Sequence, residues 1–194
     1  MDTALLRLAQ FRAEGEAHVT TTKRDKAYIV GFMRSGKTTV AHALGTRIKW
    51  ASLDLDPIIL EAENALTVRS IFADRAKGER YFREVEHREL LKLVPRRNVI
   101  VAAGGGTFVQ EQNRDVMLRD GTVIWLDVSF MTVLRRAEIN DDRPLADEVD
   151  KMAALFVERL RLYQKAHERI NVEGKSVPQI VDEILKRVPA LMPA

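Results

Sequence analysis

The chain contains no cysteine, and only 6% of its 194 residues are aromatic. Without cysteine there are no disulfides, no cysteine-based zinc sites and no thiol nucleophile. That composition suits a reducing compartment, so the expected location is the cytoplasm. Long apolar runs are missing as well. No stretch approaches the roughly 20 residues of a membrane span, and the start carries Asp2, Arg7 and Arg12 around only a short apolar stretch, which is not the pattern of a signal peptide. The net charge of +3 and the pI near 9.3 come from scattered Lys and Arg, with no basic run interleaved with aromatics, so no nucleic-acid partner is expected. Arginines that grip small anions account better for the surplus. His18, His42, His87 and His167 lie far apart in sequence, which gives neither a histidine metal cage nor a Ser-His-Asp triad any support.

What is present is concentrated in Ala27 to Thr39, AYIVGFMRSGKTT. An apolar, β-prone run ends at Gly31, four residues intervene, and Gly36-Lys37-Thr38 follows. This is the G-x-x-x-x-G-K-[ST] loop at the place where a strand should turn into a helix. A polyphosphate must be wrapped by backbone N–H groups at a helix N-terminus, and glycines let the chain approach without a Cβ. The nucleotide-binding candidates are Arg34, Ser35, Gly36, Lys37, Thr38 and Thr39. In this pattern Lys37 reaches the β- and γ-phosphates of ATP and Thr38 puts its hydroxyl on Mg²⁺.

At 46% hydrophobic and 30% charged residues, the chain is long enough for one α/β domain with a real core. Residues 1–24 start amphipathic at Leu5, Leu6, Leu8 and Phe11 and decay into HVTTTKRDK, predicting a short helix and linker. Strands are predicted at Tyr28–Val30, Ala51–Leu53, Val99–Ala102, Val123–Leu126 and Ile170–Val172. Helices are predicted at Lys37–Arg47, over a largely helical stretch from Ile58 to Val94, and at Glu111–Arg119, Met131–Glu138, Asp150–Glu168 and Val177–Val188. Ser176-Val177-Pro178-Gln179 is a capping box with proline in the first turn. Strands alternating with helices imply a parallel sheet flanked by helices.

Ligands of such sheets sit beyond the carboxyl ends of the strands. After the first strand comes the glycine loop; after the second, Asp54-Leu55-Asp56; after the third, Gly104-Gly105-Gly106. Asp54 and Asp56 have the period-two spacing of an extended segment and would share a face, one near Mg²⁺ and the other near a substrate hydroxyl. The same spacing before Pro57 also suits an N-cap and a turn. Three consecutive glycines allow a small ligand to approach bare backbone.

AYIVGFMRSGKTT, LDLD, SIFADRAKGERYFREVE, VIVAAGGG, RRAEINDDRPL and ERLRLY resemble, in order and spacing, the motifs of shikimate kinases. The resemblance covers about Ala27 to Val188. It implies a three-layer P-loop kinase fold over 26–194, with a helical substrate-binding insert at about 54–95, a lid at about 139–150, and residues 1–25 as an extension. It further implies a monomer that uses ATP and Mg²⁺ to phosphorylate the 3-hydroxyl of shikimate, giving shikimate 3-phosphate and ADP. Asp56 resembles the partner and general base of the substrate hydroxyl, and Asp54 the acid that helps hold Mg²⁺ through water. Arg83 resembles the arginine that binds the substrate carboxylate, with Glu86 orienting it and Arg159 as a second arginine. Gly105, between Gly104 and Gly106, resembles the glycine whose backbone meets substrate. Arg143 in DDRPL resembles the lid arginine over the phosphates, Arg136 the arginine stacked on adenine, and Lys175 a residue bordering the base. Arg34 departs from the family, which usually has glycine there, as do Ala146 after RPL and a slightly short span from Arg143 to Arg159. A kinase for another hydroxy acid, or a non-catalytic nucleotide-binding module, stays open at this level.

Paired arginines predict a carboxylate substrate. Losing one charge-assisted bidentate contact costs about 1.5–3 kcal/mol, or about ten- to a hundredfold in specificity. Shikimate should therefore beat neutral cyclic polyols by that margin in coupled ADP release, and comparable turnover of a polyol would refute the pairing.

Overall fold

The computed structural model describes residues 25–74, 78–139 and 146–192. The expected N-terminal helix and linker, and residues 140–145 of the expected lid, lie outside the described residues. Five parallel strands form one sheet in the order β2-β3-β1-β4-β5: β1 Lys26–Val30, β2 Ala51–Asp54, β3 Val99–Ala102, β4 Thr122–Asp127 and β5 Glu168–Asn171. β1 has a neighbour on each side, and all five of its residues are buried. A strand enclosed on both edges and both faces reads as a continuous apolar run rather than an alternating one, which is why Tyr28–Val30 was legible. The register pairs Ile29 with Ala102, Val30 with Trp125 and Asp54 with Ala102. Three strand ends therefore deliver their loops to one edge of the sheet.

α1 Lys37–Ile48 starts from Gly36 at φ 94°, with no side chain capping its first amides. Those N–H groups are left for an anion. The stretch expected to be largely helical from Ile58 to Val94 is instead three helices, α2 Leu55–Ala62, α3 Val68–Ala73 and α4 Gly78–Leu93. The breaks have local causes: Asn64 takes φ 48°, and Thr67 caps α3 by accepting from the Ser70 amide at 3.0 Å. α2 also begins earlier than expected, because the Asp54 carboxylate accepts from the Asp56 amide at 3.1 Å and caps it. Asp56 is thus a first-turn helical residue, not part of an extended segment.

The remaining helices are α5 Glu111–Asp120, α6 Phe130–Ile139, α7 Ala146–Tyr163 and α8 Val177–Arg187. α7 both starts and ends earlier than the expected Asp150–Glu168. Residues 164–167 turn instead, with His167 Nδ1 accepting from the Val123 amide at 2.9 Å, and Glu168 opens β5, where it pairs with Ile124. The capping box at α8 is present, with the Ser176 amide donating to Gln179 at 2.8 Å. Of the other described histidines, His87 Nδ1 meets Asn113 Oδ1 at 2.7 Å and His42 Nδ1 meets Ser52 Oγ at 3.4 Å.

At the amino-terminal end of the sheet, away from the loops, Lys26 is fully buried. Its ammonium donates to the Leu93 and Val94 carbonyls at 2.8 Å each and to Asp120 at 2.5 Å. The Tyr28 hydroxyl donates to the same carboxylate oxygen at 2.5 Å. This network ties the C-termini of α4 and α5 to the central strand.

Lys26→Met removes three contacts and leaves Asp120 with only the more distant Arg97, at 3.8 Å, as a cation, which should cost about 3–5 kcal/mol in denaturant unfolding; a loss below 1 kcal/mol would contradict the network. Arg34 sits at φ 61°, where an L-residue costs on the order of 1–2 kcal/mol. Arg34→Gly should be at least as stable as the parent and bind ATP at least as tightly. Weaker ATP binding with a shallower salt dependence in calorimetric titration would show that Arg34 is a phosphate contact instead.

Candidate active site

The phosphate loop is stitched by its own atoms. The Ser35 amide donates to the Phe32 carbonyl at 3.2 Å, and Lys37 Nζ donates to the same carbonyl at 2.9 Å. Gly31 is at φ 145°, and a Cβ there would stand 2.8 Å from the Leu126 carbonyl oxygen. Burial pulls the Lys37 ammonium down to about 8, while the Asp56 and Asp54 charges oppose it. A desolvated cation short of charge partners is a receptor for an anion. Thr38 follows with its hydroxyl donating to Asp54 Oδ2 at 2.5 Å, and Thr39 is exposed beside it.

Asp56 faces the other side of this cluster. Burial raises its carboxyl above the usual range, the nearby Asp54 adds to the rise, and Lys37 counters it. One carboxylate of the D-x-D therefore turns toward Thr38 and the helix cap, and the other toward the glycine triplet. A Cβ on Gly104 would lie 2.7 Å from Asp56 Oδ1.

The arginines reach the same triplet from α4 and α7. Arg83 Nη1 donates to Glu86 Oε2 at 2.9 Å and Nη2 to Glu79 at 3.1 Å. Its guanidinium lies 5.2 Å from the Phe82 ring and 5.9 Å from the Phe72 ring. Burial works against the charge on Arg83, but the Glu86 and Glu79 carboxylates outweigh it and hold the guanidinium above its ordinary value. Arg159 lies 5.7 Å from the Phe32 ring, and among the described residues no carboxylate pairs with it. A Cβ on Gly106 would meet Arg83 Nη2 at 2.6 Å, and one on Gly105 would come within 3.5 Å of Arg159 Nη1 and 3.3 Å of the Met33 amide nitrogen. Arg83 and Arg159 therefore stand against adjacent glycines of one loop, and both charges act on the Tyr163 hydroxyl. The Nε atoms of both arginines are buried without a partner among the described residues.

On the opposite side of the loop, Arg136 Nη1 donates to the Arg34 carbonyl at 2.6 Å, and Arg34 Nη1 donates back to the Arg136 carbonyl at 3.5 Å. Of the expected site residues, the structure brings Arg34 to Thr39, Asp54, Asp56, Arg83, Glu86, Gly104 to Gly106, Arg136 and Arg159 to one edge of the sheet. Arg143 lies outside the described residues. Lys175 is engaged elsewhere, with Glu183 and with the Asn171 carbonyl at 2.7 Å. Two residues of the site were not found by sequence reasoning. The Thr107 hydroxyl donates to Glu86 Oε1 at 2.6 Å, and the Tyr163 hydroxyl donates to the Gly105 carbonyl at 2.5 Å. The only available signals were adjacency to the glycine triplet for Thr107 and the i,i+4 spacing from Arg159 for Tyr163.

Comparison with known proteins points to one family. The family model for shikimate kinase matches residues 33–189. A shikimate kinase of Sulfurihydrogenibium sp. is 40% identical over 162 residues, covering 83% of this chain and 96% of the relative. One of Bacillus cereus is 36% identical over 163 residues, covering 83% and 96%. Among solved structures, the shikimate kinase from Acinetobacter baumannii in complex with shikimate superposes with a TM-score of 0.78 at 29% identity, over 86% of this chain and 94% of that one. The Aquifex aeolicus shikimate kinase does so with a TM-score of 0.76 at 33% identity, over 84% and 96%. With a phosphate loop, a half-buried D-x-D and two arginines on one glycine triplet, and with this likeness over most of its length, the chain belongs to the shikimate kinase family.

Proposed function

We propose that the protein transfers the γ-phosphoryl group of ATP to the 3-hydroxyl of shikimate, giving shikimate 3-phosphate and ADP, in the chorismate route to aromatic amino acids. The observation that carries this reading is the convergence of Asp56, Arg83 and Arg159 on Gly104 to Gly106, beside the phosphate loop. An acid bound there meets two cations for its carboxylate and a carboxylate base for its alcohol. The phosphate loop then lies on the far side of that alcohol.

Each residue has a role that follows from its surroundings. Arg83, steadied by Glu86, and Arg159 bind the substrate carboxylate through charge-assisted donors. Asp56 accepts the proton of the attacking hydroxyl; its raised pKa suits a base that must hold that proton through the transfer. Gly104, Gly105 and Gly106 offer backbone groups at close range. Lys37 leaves the Phe32 carbonyl for the phosphates and offsets the charge that develops on the moving group. Ser35, Gly36, Thr38 and Thr39 present the amides at the start of α1 to the phosphates. Arg136, laid against the loop, borders the adenine side. Arg143 completes the charge clamp from the lid in this reading, which rests on the DDRPL motif.

Mg²⁺ belongs to the same proposal. A threonine hydroxyl and a carboxylate meeting at 2.5 Å beside the phosphate loop are hard oxygen donors of the kind Mg²⁺ takes together with water and substrate phosphates. Thr38 and Asp54 would hold it, and it would neutralise the β- and γ-phosphate oxygens. No described helix is long and apolar enough to cross a membrane. We take the protein to work as a cytoplasmic monomer on small-molecule substrates.

The two aspartates give the test. Asp56→Asn should lower kcat by two or more orders of magnitude in coupled ADP release with shikimate, with ATP affinity nearly unchanged. Asp54→Asn should instead shift the Mg²⁺ concentration at half-maximal rate. Matching phenotypes would end this division of labour.

A further inference from the structure

Glu86 is fully buried, and its two carboxylate oxygens have different partners. Oε2 accepts from Arg83 at 2.9 Å; Oε1 accepts from the Thr107 hydroxyl at 2.6 Å. Among the described residues, Thr107 is the one side-chain donor to Oε1. Thr107 is itself fully buried, and its amide donates to the Gly104 carbonyl at 3.1 Å, closing a turn around the glycine triplet.

Three oxygens crowd the same spot. From the point a Cβ on Gly104 would occupy, Asp56 Oδ1 lies at 2.7 Å, Thr107 Oγ1 at 3.0 Å and Glu86 Oε1 at 3.4 Å. Asp56 and Glu86 repel one another, and the charge on Glu86 adds to the rise in the Asp56 carboxyl. A single hydroxyl proton between two such carboxylates decides where each of them points. Here the proton is given to Glu86.

We propose that Thr107 is a positioning residue for the phosphoryl acceptor. By holding Glu86 Oε1, it keeps the other carboxylate oxygen turned to Arg83, and so fixes the guanidinium against Gly106 for the substrate carboxylate. It acts through Glu86 and touches neither nucleotide nor acid. Removing the hydroxyl leaves a buried carboxylate oxygen without a donor, so Glu86 turns and Arg83 is left with the exposed Glu79 alone. The effect falls on capture of the acid and leaves the phosphate loop as it was.

This inference rests on the shikimate reading above, and one set of assays separates the two. The parent protein is first assayed for ADP release with Mg·ATP and shikimate; an inert parent overturns the reading of function. With an active parent, Thr107→Val should raise KM for shikimate about tenfold or more, the size expected for losing a hydrogen bond to a buried charge. KM for ATP should stay within about twofold, since the site of change is a neighbouring loop. Thr107→Ser, which keeps the hydroxyl, should restore the shikimate KM to within about threefold of the parent. Tyr28→Phe removes another buried hydroxyl bond, at the far end of the sheet, and should lower the unfolding temperature without moving either KM. If Thr107→Val does not fold, Thr107→Ala makes the same deletion with a smaller side chain and is read the same way. An unchanged shikimate KM, equal rises in both KM values, or a serine variant as impaired as the valine variant would each overturn the role given to Thr107.

Discussion

The site depends on backbone that carries no side chains. At Gly104 a Cβ would stand 2.7 Å from an Asp56 oxygen, and at Gly106 it would stand 2.6 Å from an Arg83 nitrogen. Neither neighbour is free to retreat: Asp56 is fixed at the start of α2 by the Asp54 cap, and Arg83 is held by Glu86 and Glu79. An alanine at either position would push the proposed base or the proposed carboxylate anchor out of the pocket. The sheet order places this loop next to the phosphate loop, because β3 and β1 are hydrogen-bonded neighbours that end level with each other. The two halves of a phosphoryl transfer are thereby set side by side before any ligand arrives.

Holding that arrangement costs stability. Lys37 is desolvated and pulled down to about 8, Asp56 is pushed up by burial, and two arginines keep buried Nε donors unpaired. In the proposed function, phosphates and an acid are the partners offered to these groups. Arg34 adds backbone strain at φ 61° in the same loop. At the other end of the sheet, Lys26, Tyr28 and Asp120 satisfy one another and two backbone carbonyls. Strain and unmet charge at one end, with satisfied networks at the other, is the distribution expected of a binding scaffold.

Much of this was legible because it is local. The phosphate loop needs only a strand, a few glycines and Lys37-Thr38, all within 13 residues. The capping box at Ser176 and the apolar run of β1 are likewise short-range signals. The errors were also local, where two nearby signals competed. Asp54 and Asp56 suited both an extended face and a helix cap, and the cap prevailed because the Asp56 amide needed an acceptor at the start of α2. The stretch 58–94 kept helical periodicity, yet Asn64 and the Thr67 cap divided it into separate helices.

The sequence by itself determined where the chain turns, caps and alternates, and it named the residue types that phosphate and carboxylate chemistry require. Only the tertiary structure decided which of them share a site and how they are charged. Arg83 and Glu86 read in sequence as an i,i+3 pair that could as well be solvated and weak. Packing buried Glu86 and gave it Thr107, 21 residues away, as a second partner. Tyr163 likewise reaches Gly105 across 58 residues, and Arg136 reaches Arg34 across 102. The reason is physical: backbone propensity and capping act over a few residues, whereas desolvation and charge pairing depend on neighbours that only the folded sheet brings within a few ångströms.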